Sequence, residues 1–157
     1  MNLTIKPAPI RKVLSLRATP QRAFDVFTGS IDRWWPKTHH IGASPLQKVV
    51  IEPSVGGRWY GLHEDGSQSP WGDVLAWDPP NRVMLAWRIT ADWKYDANLL
   101  TTIEVKFTAL DAGETRVEFE HRDLERLGDS EAANHTRESM DGGWGQILEN
   151  YTAVVHG

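Results

Sequence analysis

The stretch that decides the fold is Met140-Asp141-Gly142-Gly143-Trp144-Gly145-Gln146-Ile147-Leu148-Glu149-Asn150-Tyr151, running on to Val155. Met140, Trp144, Ile147, Leu148, Tyr151, Val154 and Val155 recur at helical spacing within one stripe about 120° wide. Gln146, Glu149 and Asn150 take the opposite side. The pattern predicts a helix with one buried face. Gly142, Gly143 and Gly145 interrupt it by composition only, and read as a permitted kink or a close approach of helix to sheet. Such a helix needs an apolar surface to lie on.

The chain just upstream supplies that surface. Val117, Phe119 and His121 alternate with Arg116, Glu118, Glu120 and Arg122, and Ile103, Val105 and Phe107 alternate with Glu104, Lys106 and Thr108. Strict alternation means strands with one buried face and one wet face. Further back, Leu46 to Glu52, Arg58 to His63, Trp71 to Trp77, Arg82 to Thr90, Leu99 to Leu110 and Glu114 to Arg122 read as consecutive strands. Their connections are turn sequences such as Glu64-Asp65-Gly66-Ser67, Asp78-Pro79-Pro80-Asn81 and Asp111-Ala112-Gly113, with a longer one at Ala91 to Ala97. The result is an antiparallel meander. Ahead of it, Ile10 to Arg17 is a strand. Thr19-Pro20 opens a helix that buries Ala23, Phe24, Val26 and Phe27 and ends at Gly29. Ser30 caps a short helix, Ile31 to Trp35, which Pro36 stops, and Thr38 to Pro45 is a loop carrying His39 and His40. With no repeat, low-complexity run or linker, residues 1–157 are expected to form one α+β domain.

Composition narrows the function classes. The chain has 157 residues, no cysteine and a net charge of −4. That rules out a disulfide framework, a thiolate metal site and a cysteine nucleophile, and it argues against nucleic acid as the main partner. No apolar run of leader length lies between Met1 and Arg17, and none approaches a membrane span, so a cytoplasmic protein without membrane insertion is expected. There is no HExxH, GxxxxGK[ST], strand-borne GxGxxG or GxSxG, and the six histidines lack metal-ligand spacing. Neither a metal nor a cofactor is expected. Eight tryptophans are the unusual count, and indoles suit both a core and an apolar ligand site.

The terminal helix thins toward its start, where its inner face holds only Ala133, Thr136, Arg137 and Met140. Interiors are close-packed, so the missing bulk must come from other elements or from a ligand. The Asp111–Gly113 turn places Ile103 opposite His121, and the longer connection places Trp87 opposite Ile103, giving an inward row Trp87–Ile103–His121 under the thin half. Asp73 extends that row unless a bulge in Gly72 to Trp77 turns Val74 inward instead. Arg88 faces solvent. His121 reads first as a hydrogen-bonded core histidine and second as an acid–base group, with Asp73 a candidate to orient it.

Several pieces recur in order: Ala18-Thr19-Pro20, Ile31-Asp32-Arg33-Trp34-Trp35-Pro36, Gly56-Gly57-Arg58-Trp59, Gly72-Asp73-Val74, Asp78-Pro79-Pro80-Asn81-Arg82, Thr115-Arg116-Val117, and Gly143-Trp144-Gly145-Gln146 through Tyr151. The set resembles the Hsp90-ATPase-activator-homologue branch of the START-like (Bet v 1-type, SRPBCC) superfamily over nearly the whole chain. The resemblance implies a helix-grip fold: a curved seven-stranded antiparallel sheet, two short helices, and a long C-terminal helix over an internal, largely apolar cavity.

The leading expectation is therefore a binding or carrier protein for a small apolar or aromatic molecule. The expected ligand contacts are Trp35, Trp59, Trp71, Trp87, Ile103, His121, Thr136, Met140 and Trp144. A second is a cyclase, dehydratase or hydrolase with His121 as general acid or base and Asp73 in support. A third is a chaperone-linked interaction module, with a homodimer through an exposed aromatic patch as a further possibility.

Overall fold

A computed structural model describes residues 7–157 of the chain, so the expectations about a leader and about where the domain begins lie partly outside the described residues. Strand β1 (Ile10–Leu16) is followed by helices α1 (Pro20–Thr28) and α2 (Ile31–Trp34). Then come β2 (Leu46–Ile51), β3 (Arg58–His63), β4 (Gln68–Asp78), β5 (Arg82–Trp87), β6 (Thr101–Ala109), β7 (Thr115–Arg122) and helix α3 (Glu131–His156). The strands form one antiparallel sheet of seven in the order β1-β7-β6-β5-β4-β3-β2, curled around α3. This is the α+β helix-grip arrangement.

Local chemistry explains the helix starts. The Thr19 hydroxyl accepts from the Arg22 amide at 3.2 Å, with Pro20 behind it in the first turn. Ser130 caps α3 in the same way, through the Ala133 amide at 3.1 Å. Ser30, by contrast, makes no capping bond, and α2 is a single short turn. The rear of α3 is bolted to α1. The Tyr151 hydroxyl donates to the Ala23 carbonyl at 2.6 Å, and Arg22 Nε donates to the Val155 carbonyl at 2.8 Å. Phe27 packs edge-on against both Tyr151 and Phe107, closing this half of the core.

Register decides what faces α3. Ile103 lies opposite His121, as the turn implies. Trp87, however, pairs with Thr101, and Ile103 pairs with Leu85. A two-residue slip preserves the face, so Trp87 still points inward, one row further along. In β4 the pairing jumps from Tyr60–Pro70 to Trp59–Gly72, leaving Trp71 as a bulged residue, and jumps again between Val74–Leu85 and Ala76–Met84. The first bulge puts both Trp71 and Val74 in the core. Asp73 consequently lies on the outer face, where Arg88 Nε donates to it at 2.7 Å. Arg88 is half-buried rather than free in solvent, because its guanidinium also donates to the carbonyls of Ala97 and Leu99 and ties down the β5–β6 connection.

The three α3 glycines make no close approach. The helix runs unbroken from Glu131 to His156, and a Cβ at Gly142, Gly143 or Gly145 would meet nothing within 4 Å. On the outer sheet face Glu104 sits between Arg82 and Arg122. Partial burial would raise its pKa, but the guanidinium hydrogen bonds outweigh that and hold it below the usual range. Among the described residues no helix is long and apolar enough to cross a membrane.

Two glycines should therefore respond oppositely to alanine. A Cβ at Gly72 would lie 1.7 Å from the Ala86 carbonyl oxygen, so Gly72→Ala is expected to cost about 3 kcal/mol and lower Tm by roughly 10 °C. Gly142→Ala, on an open helix surface, is expected to gain about 1 kcal/mol. Thermal denaturation followed by circular dichroism checks both.

Candidate functional site

The space beneath the thin half of α3 is occupied by indoles. Trp35, from the end of α2, has its ring centroid 5.1 Å from Trp71, 5.7 Å from Trp144 and 6.3 Å from Trp59. Trp59 in turn meets Trp71 at 5.6 Å and Trp87 at 5.7 Å, and Trp87 meets Trp144 at 6.0 Å. All five are buried. Geometries are mostly edge-to-face, the arrangement the aromatic quadrupole favours, worth about 0.5–1.5 kcal/mol per pair beyond burial. The bulk that α3 lacks is thus supplied in large part by α2, β3, β4 and β5. Gly61 makes room for this packing: a Cβ there would lie 3.3 Å from the Trp71 ring. The indole N–H groups of Trp59 and Trp71 find no acceptor among the described residues. Each such orphan costs about 1–3 kcal/mol, so this interior is not optimised for stability alone.

His121 lies at the inner end of the cluster and is fully buried. The Trp144 indole N–H donates to its Nδ1 at 3.2 Å, and its Nε2 is 2.8 Å from the Thr101 hydroxyl. The Thr101 hydroxyl in turn donates to the Trp87 carbonyl at 3.0 Å. Indole nitrogen can only donate and a carbonyl can only accept, so the chain has one direction. Nδ1 is bare, Nε2 carries the proton, and the ring is neutral. Burial pushes its pKa down to about 3. Both nitrogens are spent, and no carboxylate orients the ring, since Asp73 is on the other side of the sheet. The geometry is that of a structural histidine. It provides neither a free base nor a proton donor at neutral pH.

Open space begins one layer further out. A half-open pocket of about 270 Å³ lies between α3, the Thr38–Ile41 loop and the β5–β6 connection. Trp35, Trp71, Trp87 and Trp144 form its floor, Met140, Gly143 and Ile147 its helix wall, and Ile89 and Trp93 the opposing wall. Trp93 holds a left-handed backbone, φ 63°, and is 48% exposed at the rim. The connection that carries it is anchored to the helix, because the Thr136 hydroxyl donates to the Ala91 carbonyl at 2.8 Å. Thr38, His39, His40 and Ser139 supply the polar edge.

Of the residues singled out from sequence, Trp35, Trp71, Trp87, Met140 and Trp144 meet at this pocket. Trp59, Ile103 and His121 lie beneath its floor, Thr136 braces its wall from behind, and Asp73 is remote from it. His39, His40, Ile41 and Trp93 border the pocket without having been anticipated there. They sit on irregular segments where no periodicity assigns a facing. A sequence signal exists for Trp93 alone, an aromatic set among the charged residues Asp92, Lys94 and Asp96. Among the described residues no cluster of three metal-ligating side chains occurs.

Residues 17–156 match the family model described as activator of Hsp90 ATPase homolog 1-like protein, and the chain belongs to that family. No curated protein sequence matches it significantly. Among solved structures, it is similar to an anthrahydroquino-gamma-pyrone synthase, Txn09, complexed with SUM. The identity is 35% and the TM-score 0.66, with 93% of this chain and 96% of that one covered. It is also similar to CalC, a self-sacrificing resistance protein from Micromonospora echinospora, at 28% identity and TM-score 0.68, covering 94% and 93% of the two chains. PFC0360w, an Hsp90 activator from Plasmodium falciparum, shares the fold at 17% identity, TM-score 0.66, with 94% and 96% covered.

His121 also predicts a pH dependence. Its folded pKa of about 3 lies below the ordinary 6.5, so between those values the unfolded chain binds the proton and the native chain does not. The stabilisation is complete above pH 6.5 and is lost as pH falls toward 3, at a slope approaching about 1.4 kcal/mol per pH unit. In urea unfolding at pH 7.0 and 4.5, His121→Gln should be less stable than wild type at neutral pH yet lose less on acidification.

Proposed function

We propose that the protein binds a small planar aromatic molecule, not in a deep cavity under α3 but in the half-open pocket at its midpoint. One observation carries this reading: four buried indoles line one side of the pocket, beside a helix wall reduced at Gly143 to bare backbone. The volume is at the low end for small-molecule sites and suits a fused-ring aromatic better than a long acyl chain. The similarity to a synthase of anthrahydroquino-gamma-pyrones, at 35% identity over nearly the full chain, supports an aromatic polyketide as the ligand class.

That same similarity favours a second reading, in which the bound aromatic is transformed. His121 is no part of it, being neutral and doubly hydrogen-bonded below the floor. Any proton transfer in this pocket would fall to the groups on its edge: Thr38, His39, His40 and Ser139. A chaperone-linked role draws support only from family membership and a neighbour alike in fold.

Gly143 separates pocket binding from adsorption elsewhere. Its missing side chain faces open space on the pocket wall, so Gly143→Leu should fold with equal or higher Tm while filling the site. Titrated with 1-naphthol or anthraquinone under tryptophan fluorescence, wild type should show saturable quenching and Gly143→Leu a loss of at least about tenfold in affinity. Undiminished binding by the variant would place the ligand elsewhere.

A further inference from the structure

We propose that His40 selects the ligand, its Nε2 accepting a hydrogen bond from a phenolic hydroxyl carried by the aromatic ring; this rests on the pocket reading above. The tautomer follows from the loop. His40 Nδ1 lies 3.2 Å from the Ile41 carbonyl oxygen, which can only accept, so Nδ1 carries the ring proton. In the neutral imidazole Nε2 is then a bare lone pair. It has no hydrogen-bond partner among the described residues, and His40 borders the pocket. Its neighbour His39 differs, with Nδ1 engaged by the Thr38 hydroxyl at 3.0 Å.

The acceptor is held in place by its surroundings. The Trp35 indole N–H donates to the His39 carbonyl at 2.7 Å, fastening the loop to the pocket floor. On the far side, His63 is buried and donates through Nδ1 to the Ser44 carbonyl at 2.7 Å. Ser69 lies 2.7 Å from His63 Nε2 and 3.3 Å from the Ile41 carbonyl, the same oxygen that fixes the His40 tautomer. The His63 ring also meets the His40 ring at 5.5 Å, tilted by 67°. Gly42 allows the loop to pass: at φ +94°, a Cβ there would sit 2.7 Å from Ser69 Oγ and 3.0 Å from His63 Nε2. An acceptor fixed this way loses little freedom when it binds.

Charge narrows the ligand class. Among the described residues no lysine or arginine lines the pocket, so a carboxylate, phosphate or phenolate would enter without a counter-charge from them. A neutral ring bearing an O–H donor matches the combination of indole floor and bare acceptor at His40. An O-methylated ring of similar shape would leave His40 Nε2 unpaired and have no proton to offer it.

The test compares 1-naphthol with 1-methoxynaphthalene, by tryptophan fluorescence, on wild type, His40→Phe and His40→Gln. Wild type should prefer 1-naphthol about tenfold, the worth of one hydrogen bond. His40→Phe should bring the two affinities within about twofold while leaving that for 1-methoxynaphthalene nearly unchanged. His40→Gln, which keeps an acceptor oxygen, should restore part of the preference. Independent of any variant, the ¹⁵N resonance of His40 Nε2 in wild type should shift with 1-naphthol and not with the methyl ether. Equal affinity of wild type for both probes, a preference that survives in His40→Phe, or a parallel loss of both ligands in that variant overturns the assignment while leaving the pocket intact. Binding of neither probe overturns the pocket reading, and this one with it.

Discussion

The hydrogen-bond chain from the Trp144 N–H through His121 and Thr101 to the Trp87 carbonyl is the link on which the arrangement depends. The front half of α3 carries little apolar bulk, and this chain joins the middle of the helix, just past that half, to three adjacent strands at once. Because every donor in it has one possible direction, the orientation of the Trp144 ring is determined. Trp144 then sets where Trp35 and Trp87 can lie, and these in turn complete the pocket floor. A buried polar network that is fully satisfied specifies a unique packing, and here it specifies the shape of the pocket floor.

Much of the fold is legible in residue order. The stripe of α3 and the alternation of β6 and β7 are direct consequences of helical and strand geometry, and the short turn between those strands fixes Ile103 opposite His121. The slip of Trp87 to Thr101 is less visible. Its cause is the β5–β6 connection, which folds on itself with a bridge between Ile89 and Tyr95 and is held by Arg88. The Trp71 bulge is also hidden, because Pro70-Trp71-Gly72-Asp73 satisfies an unbulged alternation as readily as a bulged one. Only the clash that any side chain at Gly72 would make with the next strand reveals which is right.

The lining of the candidate pocket is half legible for the same reason. Counting bulk on α3 alone identifies a region short of side chains, and tryptophans from four other elements converge there. Trp35, Trp71, Trp87, Met140 and Trp144 belong to regular elements or their ends and can be assigned a facing from periodicity. His40, Ile41 and Trp93 cannot, since their positions depend on hydrogen bonds between distant residues, such as His63 to the Ser44 carbonyl and Thr136 to the Ala91 carbonyl. The histidine that looked most chemical, His121, is the one the fold consumes. The adjacent pair on the Thr38–Pro45 loop, His39 and His40, borders the opening.

Trp93 stands apart from the other indoles in a way that has a spectroscopic consequence. The six tryptophans at positions 34, 35, 59, 71, 87 and 144 are buried, Trp77 is partly covered, and Trp93 alone is exposed, on the lip of the pocket. Exposure should place its emission to the red of the buried set and make it the first indole that iodide or acrylamide reaches. Collisional quenching at long wavelength is therefore weighted toward the entrance, with a smaller share from Trp77, while the short-wavelength emission reports the interior, so the protein carries a built-in two-colour readout of access and packing.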